Sequence, residues 1–276
     1  MNTVSKQLSS LYPESEAGSL TKHLFCHVLQ LKTHELLTRK DKQLSATEKE
    51  RVAEIVNRLL DNEPLQYVLG ETPFYGLSFK VTPQVLIPRP ETEELVEWII
   101  ECERGKTSLR ILDVGTGSGC IAVSLSKFLP SATVYGLDIS EEALTISAEN
   151  ADRNAVTVNW MQADILKDLP AAVPSDLDIL VSNPPYVTDR EKEQMHANVV
   201  DYEPHLALFV PDERALLFYE RIAEVGKEKL RPGGSLFFEI NARFGQETVE
   251  MLRSKGYNTV ELRKDIAGKD RMIRAV

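Results

Sequence analysis

The sequence predicts an α/β protein with a mostly parallel sheet, preceded by a small helical domain and a hairpin linker. Residues 1–70 carry helical patterns and almost no strand pattern. From Arg110 onward, apolar strand-like runs alternate with helical runs, an order typical of a parallel sheet. A glycine-rich turn joins the first of these strands to the helix after it. These three observations together indicate an open sheet with a ligand site at its carboxyl edge.

The first predicted domain spans residues 1–70. Its clearest helix covers residues 45–60, where apolar side chains recur at helical spacing behind a capping box formed by Ser45 and Glu48. Between about residues 71 and 85 the pattern changes to short aromatic and β-branched runs, broken by Gly76 and Pro83. We therefore assign residues 71–88 to a β-hairpin linker.

The remaining residues, 89–276, form the predicted sheet domain. A helix is expected to begin near Pro90, because acidic residues in its first turn complement the helix dipole. The predicted strands are 110–114, 133–138, 156–160, 177–182, 235–240 and 257–262. The predicted helices between them are 121–128, 141–152, 213–230 and 244–255. A last apolar run, 272–276, is expected to supply an antiparallel edge strand.

Composition restricts the function class. The 276 residues carry a formal net charge of -10, which disfavours a phosphate backbone as partner. No run of about 18 apolar residues occurs, so we expect no membrane span and a cytoplasmic protein. The three cysteines are far apart, as suits a reducing compartment. His23, Cys26 and His27 share a helix face, but without an evident fourth ligand we predict no metal site.

A turn built from glycines follows the strand 110–114. Gly115-Thr116-Gly117-Ser118-Gly119 lets the backbone approach a ligand closely, and the amides at the next helix start can face an anionic group. The dinucleotide fingerprint would need glycine at position 120, which is Cys120. A nucleotide-type cofactor other than NAD or FAD is therefore favoured. Cys120 itself is interpreted either as a reactive thiol at a helix start or as a small packing residue.

Two acidic residues follow later strands. Asp138 ends the strand 133–138, where a carboxylate can accept hydrogen bonds from both hydroxyls of a ribose, or can help to begin the next helix. Asp164 follows the next strand, where it either accepts the exocyclic amine of adenine or is a solvated loop acid. The glycine loop upstream favours the ligand-binding interpretation of Asp138.

The segment Asn183-Pro184-Pro185-Tyr186 begins at the carboxyl end of the strand 177–182. Two prolines fix their φ angles and donate no backbone hydrogen bond, so the nearby carbonyl groups remain free to accept. The Asn183 side-chain oxygen and the Pro184 carbonyl can each accept one N–H of a planar NH2 group, and Tyr186 can stack on it. A simple strand-ending turn is the competing interpretation.

The whole pattern resembles the PrmC/HemK family of peptide chain release factor N5-glutamine methyltransferases. The resemblance spans nearly the full chain and includes the segment 183–186. Its further motifs are Gln66-Tyr67-Val68-Leu69-Gly70, Val85-Leu86-Ile87-Pro88-Arg89-Pro90-Glu91-Thr92-Glu93, residues 113–122, Tyr202-Glu203-Pro204 with Ala207-Leu208, and Asp265-Ile266-Ala267-Gly268-Lys269-Asp270-Arg271. The block at residues 88–93 is more selective than Asn-Pro-Pro-Tyr, which DNA-adenine and RNA-guanine amino-methyltransferases share.

The resemblance implies a Rossmann-like class I methyltransferase sheet, S-adenosyl-L-methionine as methyl donor and S-adenosyl-L-homocysteine as product. The implied substrate is the glutamine of the Gly-Gly-Gln motif in class 1 release factors, docked in part by residues 1–70. The expected cofactor contacts are Gly115, Thr116, Gly117, Ser118, Gly119, Asp138, Asp164 and Asn183. Asn183, Pro184, Pro185 and Tyr186 are expected to hold the substrate, with Asn183, Pro184 and Tyr186 catalytic. Some members carry an aromatic residue where this chain has Ile165, which leaves adenine stacking there open.

Several alternatives remain open. The substrate glutamine can belong to a ribosomal protein, or the protein can methylate a nucleic-acid amino group, although its acidic balance disfavours direct nucleic-acid binding. A nucleotide-binding protein without transferase activity is a third interpretation. Arg89, Glu91 and Thr92 either line the site entrance or serve in helix capping and surface pairs, and Glu203 either supports the methylation loop or forms a surface pair. We expect a monomer.

Overall fold

The computed structural model describes residues 1–38 and 43–276. They form two compact units. One comprises Met1–Glu71 and His196–Tyr202, and the other comprises Thr72–Met195 and Glu203–Val276. The domain bounds 1–70, 71–88 and 89–276 stay predictions, and residues 39–42 of the first lie outside the described residues.

The first unit is helical. Its helices near the start of the chain are α1 (Asn2–Leu8), α2 (Glu14–Leu29), α3 (Thr33–Thr38), α4 (Ala46–Leu60) and α5 (Leu65–Leu69). Their apolar faces meet in one core that contains Leu8, Leu24, Ile55 and Leu59. Helix α4 begins behind Ser45, whose hydroxyl accepts from the Glu48 amide in a capping box, as the sequence predicts.

A later segment of the chain returns to this unit. The helix Ala197–Tyr202 belongs to it, and the Tyr202 hydroxyl donates to the Asp61 carbonyl at 2.7 Å. Sequence periodicity does not reveal this return, because periodicity reports local structure and not which distant segments meet.

A two-stranded hairpin of β1 (Glu71–Phe74) and β2 (Leu77–Lys80) follows, as the sequence predicts. Its two-residue turn has φ of 46° at Tyr75 and 74° at Gly76. Positive φ at both central positions is the geometry of a type I′ turn, whose twist matches that of the flanking strands. The Phe74 and Phe79 rings pack edge to face with centroids 5.8 Å apart.

The second unit is built on a seven-stranded sheet. The large strands are β3 (Arg110–Val114), β4 (Thr133–Asp138), β5 (Asn159–Gln162), β6 (Leu177–Ser182), β9 (Leu230–Glu239), β10 (Val260–Lys264) and β11 (Asp270–Ala275), with β7 (Val187–Thr188) and β8 (Phe209–Val210) in a small separate sheet. The helices are α6 (Pro90–Glu103), α7 (Cys120–Phe128), α8 (Glu141–Arg153), α9 (Asp189–Lys192), α11 (Leu217–Lys229) and α12 (Gly245–Ser254), and the helix Ala197–Tyr202 is α10.

The strand order is β10-β11-β9-β6-β3-β4-β5, and β11 is antiparallel to both of its neighbours. This order confirms a mostly parallel sheet but corrects the expectation that residues 272–276 form its edge. The strand Asp270–Ala275 lies one place inside, and β10 is the edge. A buried position suits its sequence, because Met272, Ile273 and Ala275 are buried, whereas no residue of β10 is.

Other boundaries shift for local reasons. The predicted strand 257–262 begins at Val260 because Tyr257 packs into the core and its hydroxyl donates to the Ala223 carbonyl at 2.9 Å. The third strand lies at Asn159–Gln162 and not at 156–160, because β5 pairs with β4 only from Asn159 onward. Helix α11 begins at Leu217, after a short 3-10 turn over Asp212–Arg214, and not at residue 213.

Alternating strand residues face opposite sides of the sheet. Ile111 and Phe237 pack with α6 and α7 in one core, whereas Leu112 and Phe238 pack with α11 and α12 in another. With both faces covered, the carboxyl ends of the parallel strands β3, β4 and β6 are left as the edge at which loops can form a ligand site.

Candidate functional site

A cavity of about 460 Å³ lies at the carboxyl ends of β3, β4 and β6. Its lining includes Gly115 and Gly117 after β3, Asp138 at the end of β4, and Asn183 after β6. The rest is largely apolar, contributed by Val85, Leu86, Val114, Leu137, Ile139, Ala143, Ala163, Ile165, Leu166, Pro204, Leu206, Ala207, Phe218 and Ile222. The cavity therefore combines a polar glycine-loop wall with an apolar wall, as expected for a nucleoside-type ligand.

Positive φ angles shape the glycine loop, with values of 70° at Gly115 and 54° at Gly117. The Gly115 and Thr116 amides donate to the Leu137 carbonyl at 2.8 and 3.0 Å, which ties the loop to the end of β4. The Gly117 amide donates to Asp138 Oδ2 at 2.8 Å. These three bonds fix the loop to the end of β4, and glycine adopts its positive φ angles without strain.

The other predicted loop residues do not line the cavity. Thr116 is buried, and its hydroxyl donates to Asp113 Oδ2 at 2.6 Å. The Ser118 carbonyl accepts from Asn150 Nδ2 at 2.9 Å. Gly119 precedes α7 with φ of 78°, and a Cβ there would approach Ser147 Cβ to 3.1 Å and Trp160 to 3.2 Å. These three residues position the loop against its surroundings.

Cys120 is a packing residue. It is buried in the core between the sheet and α6, and burial raises the pKa of its thiol to about 12. A thiol with such a pKa is protonated at neutral pH and is a poor nucleophile. The structure therefore decides between the two interpretations of this cysteine.

Asp138 lines the cavity, and each of its carboxylate oxygens already accepts one hydrogen bond. Oδ2 accepts from the Gly117 amide, and Oδ1 accepts from the Ser140 amide at 3.0 Å. Burial raises its pKa, and the two backbone donors act in the opposite direction. Each oxygen keeps a second acceptor direction, so the side chain can bind hydroxyl donors while it holds the loop.

Asp164 and Ile165 line the same cavity after β5. Asp164 Oδ1 accepts from the Leu166 amide at 3.0 Å, and Lys167 Nζ lies 3.4 Å from Oδ2. Ile165 is buried and contributes an aliphatic side chain to the lining.

The segment after β6 is anchored on several sides. The Ser182 hydroxyl donates to the Val114 carbonyl at 2.6 Å, so the ends of β6 and β3 are joined. Asn183, Pro184 and Pro185 line the cavity. Asn183 Nδ2 donates to Thr92 Oγ1 at 3.3 Å. The structure thus brings the asparagine and both prolines beside the glycine loop.

Tyr186 does not line the cavity. Its hydroxyl donates to Glu239 Oε1 at 3.1 Å, and its carbonyl accepts from Asn241 Nδ2 at 3.0 Å. Burial and the neighbouring Glu239 carboxylate raise the pKa of the Tyr186 phenol, which therefore stays protonated. The ring packs partly buried in the core on the α11 side of the sheet.

Glu239 is a site residue that the sequence reasoning missed. It is 1% exposed, and its Oε2 accepts from the Thr92 hydroxyl at 2.6 Å while Oε1 accepts from Tyr186. Burial raises its pKa, and the two hydroxyl donors and Arg271 counteract this shift. The signal was a carboxylate within the apolar run Phe237-Phe238-Glu239-Ile240, since a buried acid requires partners.

Arg89, Glu91 and Thr92 do not line the cavity, and burial excludes the surface-pair interpretation of Thr92 and Glu203. Glu203 is 3% exposed, forms an ion pair with Arg89, and accepts from the Ile87 amide at 3.2 Å. Thr92 is 2% exposed. These contacts are buried, so neither residue serves in a surface pair. The Arg89 side chain forms no capping bond at the start of α6.

The described residues contain neither a candidate metal-binding cluster nor a membrane-spanning helix. Over residues 1–38 and 43–276, no cluster of three or more histidine, cysteine or acidic residues has the geometry to hold a metal ion. Within the same described ranges, none of the helices combines the length and apolar character that crossing a bilayer requires.

Models of two protein families match the chain. The PrmC N-terminal domain matches residues 1–70, and the methyltransferase small domain matches residues 93–202. Among solved structures, the hMettl16 catalytic domain in complex with the MAT2A 3'UTR hairpin 6 has a TM-score of 0.57 at 16% identity, over 84% of this chain and 82% of that one. A methyltransferase from Pyrococcus furiosus has a TM-score of 0.54 at 18% identity, over 79% and 95%. These likenesses show the fold.

Full-length relatives are much more similar in sequence. The release factor glutamine methyltransferase of Bacteroides thetaiotaomicron is 46% identical over 99% of this chain and 97% of its own length. The protein of the same name from Flavobacterium psychrophilum is 45% identical over 97% and 94%. With this identity across both units, and with the glycine loop and the Asn-Pro-Pro segment at one cavity, the chain belongs to the family of release factor glutamine methyltransferases.

Proposed function

We propose that this protein transfers a methyl group from S-adenosyl-L-methionine to the side-chain amide nitrogen, N5, of the glutamine in the Gly-Gly-Gln motif of class 1 peptide chain release factors. The observation that carries the proposal is the position of Asn183 and Pro184 in the same cavity as Gly115, Gly117 and Asp138. An amide-binding segment and a nucleoside-type site thus share one space.

The residues present fit S-adenosyl-L-methionine. Asp138 would accept the ribose hydroxyls, the backbone of Gly115 and Gly117 would face the methionine part, and Asp164 would accept the adenine amine. Ile165 would contact the adenine face with aliphatic surface. Thr116, Ser118 and Gly119 would act by shaping the loop, because they do not line the cavity. The bound cofactor supplies an electrophilic methyl carbon on a sulfonium.

A carboxamide nitrogen is a weak nucleophile, because its lone pair is delocalised into the carbonyl group. Asn183 Oδ1 and the Pro184 carbonyl would each accept one N–H and fix the NH2 group, with its remaining direction toward the methyl carbon. The same oxygens would stabilise the positive charge that develops on nitrogen as the new N–C bond forms and the C–S pair leaves with sulfur. The methylated nitrogen then releases one proton and needs no strong base.

Tyr186 has a supporting role in this proposal. Its hydroxyl is committed to Glu239, and its ring lies outside the cavity lining. It would therefore act by fixing the segment after β6, in place of stacking on the substrate.

The proposed function also implies a protein substrate, a cellular location and an oligomeric state. We propose that the protein acts as a monomer in the cytoplasm on release factors, with residues 1–70 contributing to docking and without direct contact to nucleic acid. The net charge of -10 supports the last point. Methylation of a ribosomal-protein glutamine is the second candidate that the test must separate.

The decisive experiment is incubation of the protein with isotopically labelled S-adenosylmethionine and a purified class 1 release factor, followed by peptide mass mapping. We expect one label, on the glutamine of the Gly-Gly-Gln motif. A release factor with this glutamine replaced by glutamate is the control and should take up none. Purified ribosomal proteins form a parallel arm, and preferential labelling there would refute the release-factor assignment.

A further inference from the structure

We propose that Thr92 and Glu239 form a positioning relay that fixes the amide of Asn183 in one orientation, with its oxygen presented to the substrate. This inference rests on the proposed role of Asn183 as an acceptor for the substrate NH2 group. It assigns a function to a buried threonine and a buried glutamate that lie far apart in sequence, on α6 and β9.

The Thr92 hydroxyl has a single proton to donate. Thr92 Oγ1 lies 2.6 Å from Glu239 Oε2, the distance of a charge-assisted O–H to carboxylate bond. A carboxylate offers only acceptors, so the threonine proton must lie on this bond. Thr92 Oγ1 can then face its other neighbour only as an acceptor.

The Asn183 amide has two chemically different ends, an oxygen that accepts and an NH2 group that donates. Its nearest partner on the α6 side is Thr92 Oγ1, at 3.3 Å. Since this oxygen can only accept, the asparagine must turn its NH2 group toward it. Oδ1, the other end of the same planar group, then points away from Thr92, and it accepts no hydrogen bond from the described residues. Because Asn183 lines the cavity, Oδ1 is the end available to a substrate N–H.

Glu239 is fixed in position by its own partners. Its second oxygen accepts from the Tyr186 hydroxyl at 3.1 Å, so both carboxylate oxygens are held. The charge of Arg271 acts on this carboxylate, and the Arg271 side chain donates to Asp265 Oδ2 at 3.0 Å and to the Ile240 carbonyl at 3.3 Å. Burial raises the pKa of Glu239, whereas the two hydroxyl donors and Arg271 act in the opposite direction and favour the ionised form that the relay requires.

The relay matters for chemistry because an asparagine amide has two nearly isosteric orientations. In the reversed orientation, Asn183 would present NH2 to the NH2 of the substrate, and no hydrogen bond would form. Fixing the amide before the substrate arrives removes this unproductive state, which is a contribution to kcat more than to cofactor binding.

The test uses Thr92→Val, which keeps the shape of the side chain and removes the hydroxyl. We expect kcat with release factor to fall by roughly 10- to 100-fold, since loss of orientation near a reacting group has effects of this size. The dissociation constant for S-adenosylmethionine, from calorimetry, should change little. Thr92→Ser keeps the hydroxyl and should restore most of kcat.

The matched control is Thr248→Val. Thr248 is a fully buried threonine of α12 whose hydroxyl donates to the Phe244 carbonyl at 2.7 Å, and it does not line the cavity. Thermal unfolding of both valine variants is measured alongside activity. Thr248→Val should keep the wild-type kcat, so that a loss confined to Thr92→Val is not the general effect of deleting a buried hydroxyl.

A double-mutant cycle with Asn183→Ala separates the relay from a structural role. If Thr92 acts through Asn183, Thr92→Val should have no further effect on the residual rate of Asn183→Ala. Additive losses, a wild-type kcat in Thr92→Val, or failure of Thr92→Ser to restore activity would each overturn the relay. The proposed function fails on a different result, namely the absence of labelled glutamine with the wild-type protein.

Discussion

Few polar side chains line the cavity, and each of them already forms a specific hydrogen bond within the protein. Asn183 donates to Thr92, and Asp138 accepts from Gly117 and Ser140. In both cases the acceptor capacity that remains is directed by a bond that is already formed. Because hydrogen bonds hold these side chains before a ligand binds, less side-chain entropy is lost on binding. The same bonds fix where the donors of the ligand must lie.

Replacement of Asn183 by alanine should separate chemistry from cofactor binding. Asn183→Ala removes one of the two acceptors that orient the substrate nitrogen, and we expect kcat to fall by roughly 100-fold or more. The dissociation constant for S-adenosylmethionine, measured by calorimetry, should stay close to the wild-type value. Comparable turnover at saturating release factor would rule out the orienting role.

Replacement of Asp138 should affect binding of the cofactor more than it affects kcat. Asp138→Ala removes the carboxylate expected to accept the ribose hydroxyls, and also the acceptor for the Gly117 amide. We expect binding of S-adenosylmethionine to weaken by roughly 1.5 to 3 kcal/mol, the usual range for a lost charged hydrogen bond. Asp152→Ala, at an exposed position on α8, is the control. Equal dissociation constants for the two variants would contradict the ribose assignment.

At the scale of elements, the glycine loop is held by the packing of the helices around it. Asn150 of α8 accepts from the Lys80 amide at 2.6 Å and donates to the Ser118 carbonyl at 2.9 Å, so one buried amide joins β2, α8 and the loop. Ser147 of α8 donates to the Gly117 carbonyl at 2.8 Å. The loop geometry therefore depends on α8 as much as on its own glycines.

A substitution at Gly119 tests whether the glycine loop depends on its packing against α8. Alanine there would require a positive φ and would bring its Cβ to 3.1 Å from Ser147 Cβ. We expect Gly119→Ala to lower the free energy of unfolding by roughly 1 to 3 kcal/mol, measured by chemical denaturation.

Gly18→Ala is the control for this substitution. Gly18 lies inside α2 with open space around it, so alanine should stabilise that helix by roughly 0.5 to 1 kcal/mol. If Gly119→Ala proved as stable as wild type, the loop would not be constrained by α8 in the way described.

At the scale of the whole molecule, one buried acid links folding to pH. Asp113 is fully buried, and burial raises its pKa from 3.8 to about 7, although the Thr116 hydroxyl donates to it. The folded state therefore binds this proton more tightly than the unfolded state. The stability provided by neutral Asp113 is fully present below about pH 4 and is lost as the pH rises through about 7.

Asp113→Asn cannot ionise at this position, so its free energy of unfolding serves as the reference for that of wild type. As the pH rises from 4 to 8, the unfolding free energy of wild type should decrease relative to that of the variant. Denaturant titrations at four or five pH values measure this difference and cancel the contribution of the other carboxylates. Parallel profiles would mean that Asp113 titrates alike in the folded and unfolded states.

Much of the fold follows from local pattern. Strands 110–114, 133–138 and 177–182 were predicted with their observed bounds, because each is an apolar run bounded by clear turn or helix signals. The α4 capping box and the hairpin interrupted at Gly76 were also predicted from local sequence. Gly115, Gly117 and Pro184, which were expected at one edge of the sheet from their order along the chain, line the same cavity, and their binding roles stay predictions.

Local pattern along the chain was therefore enough to predict most strands and helices of the large sheet, together with the glycine loop and the Asn-Pro-Pro segment, since these depend on neighbours a few residues apart. Three features came from the three-dimensional fold: β11 lies inside the sheet, α10 returns to the first unit, and the Tyr186 hydroxyl donates to Glu239 while the residue lies outside the cavity lining. The contact of Asn183 with Thr92 belongs to the same group, because 91 residues separate the two. Hydrogen bonds over such separations depend on strand order and side-chain direction, and periodicity along one chain encodes neither.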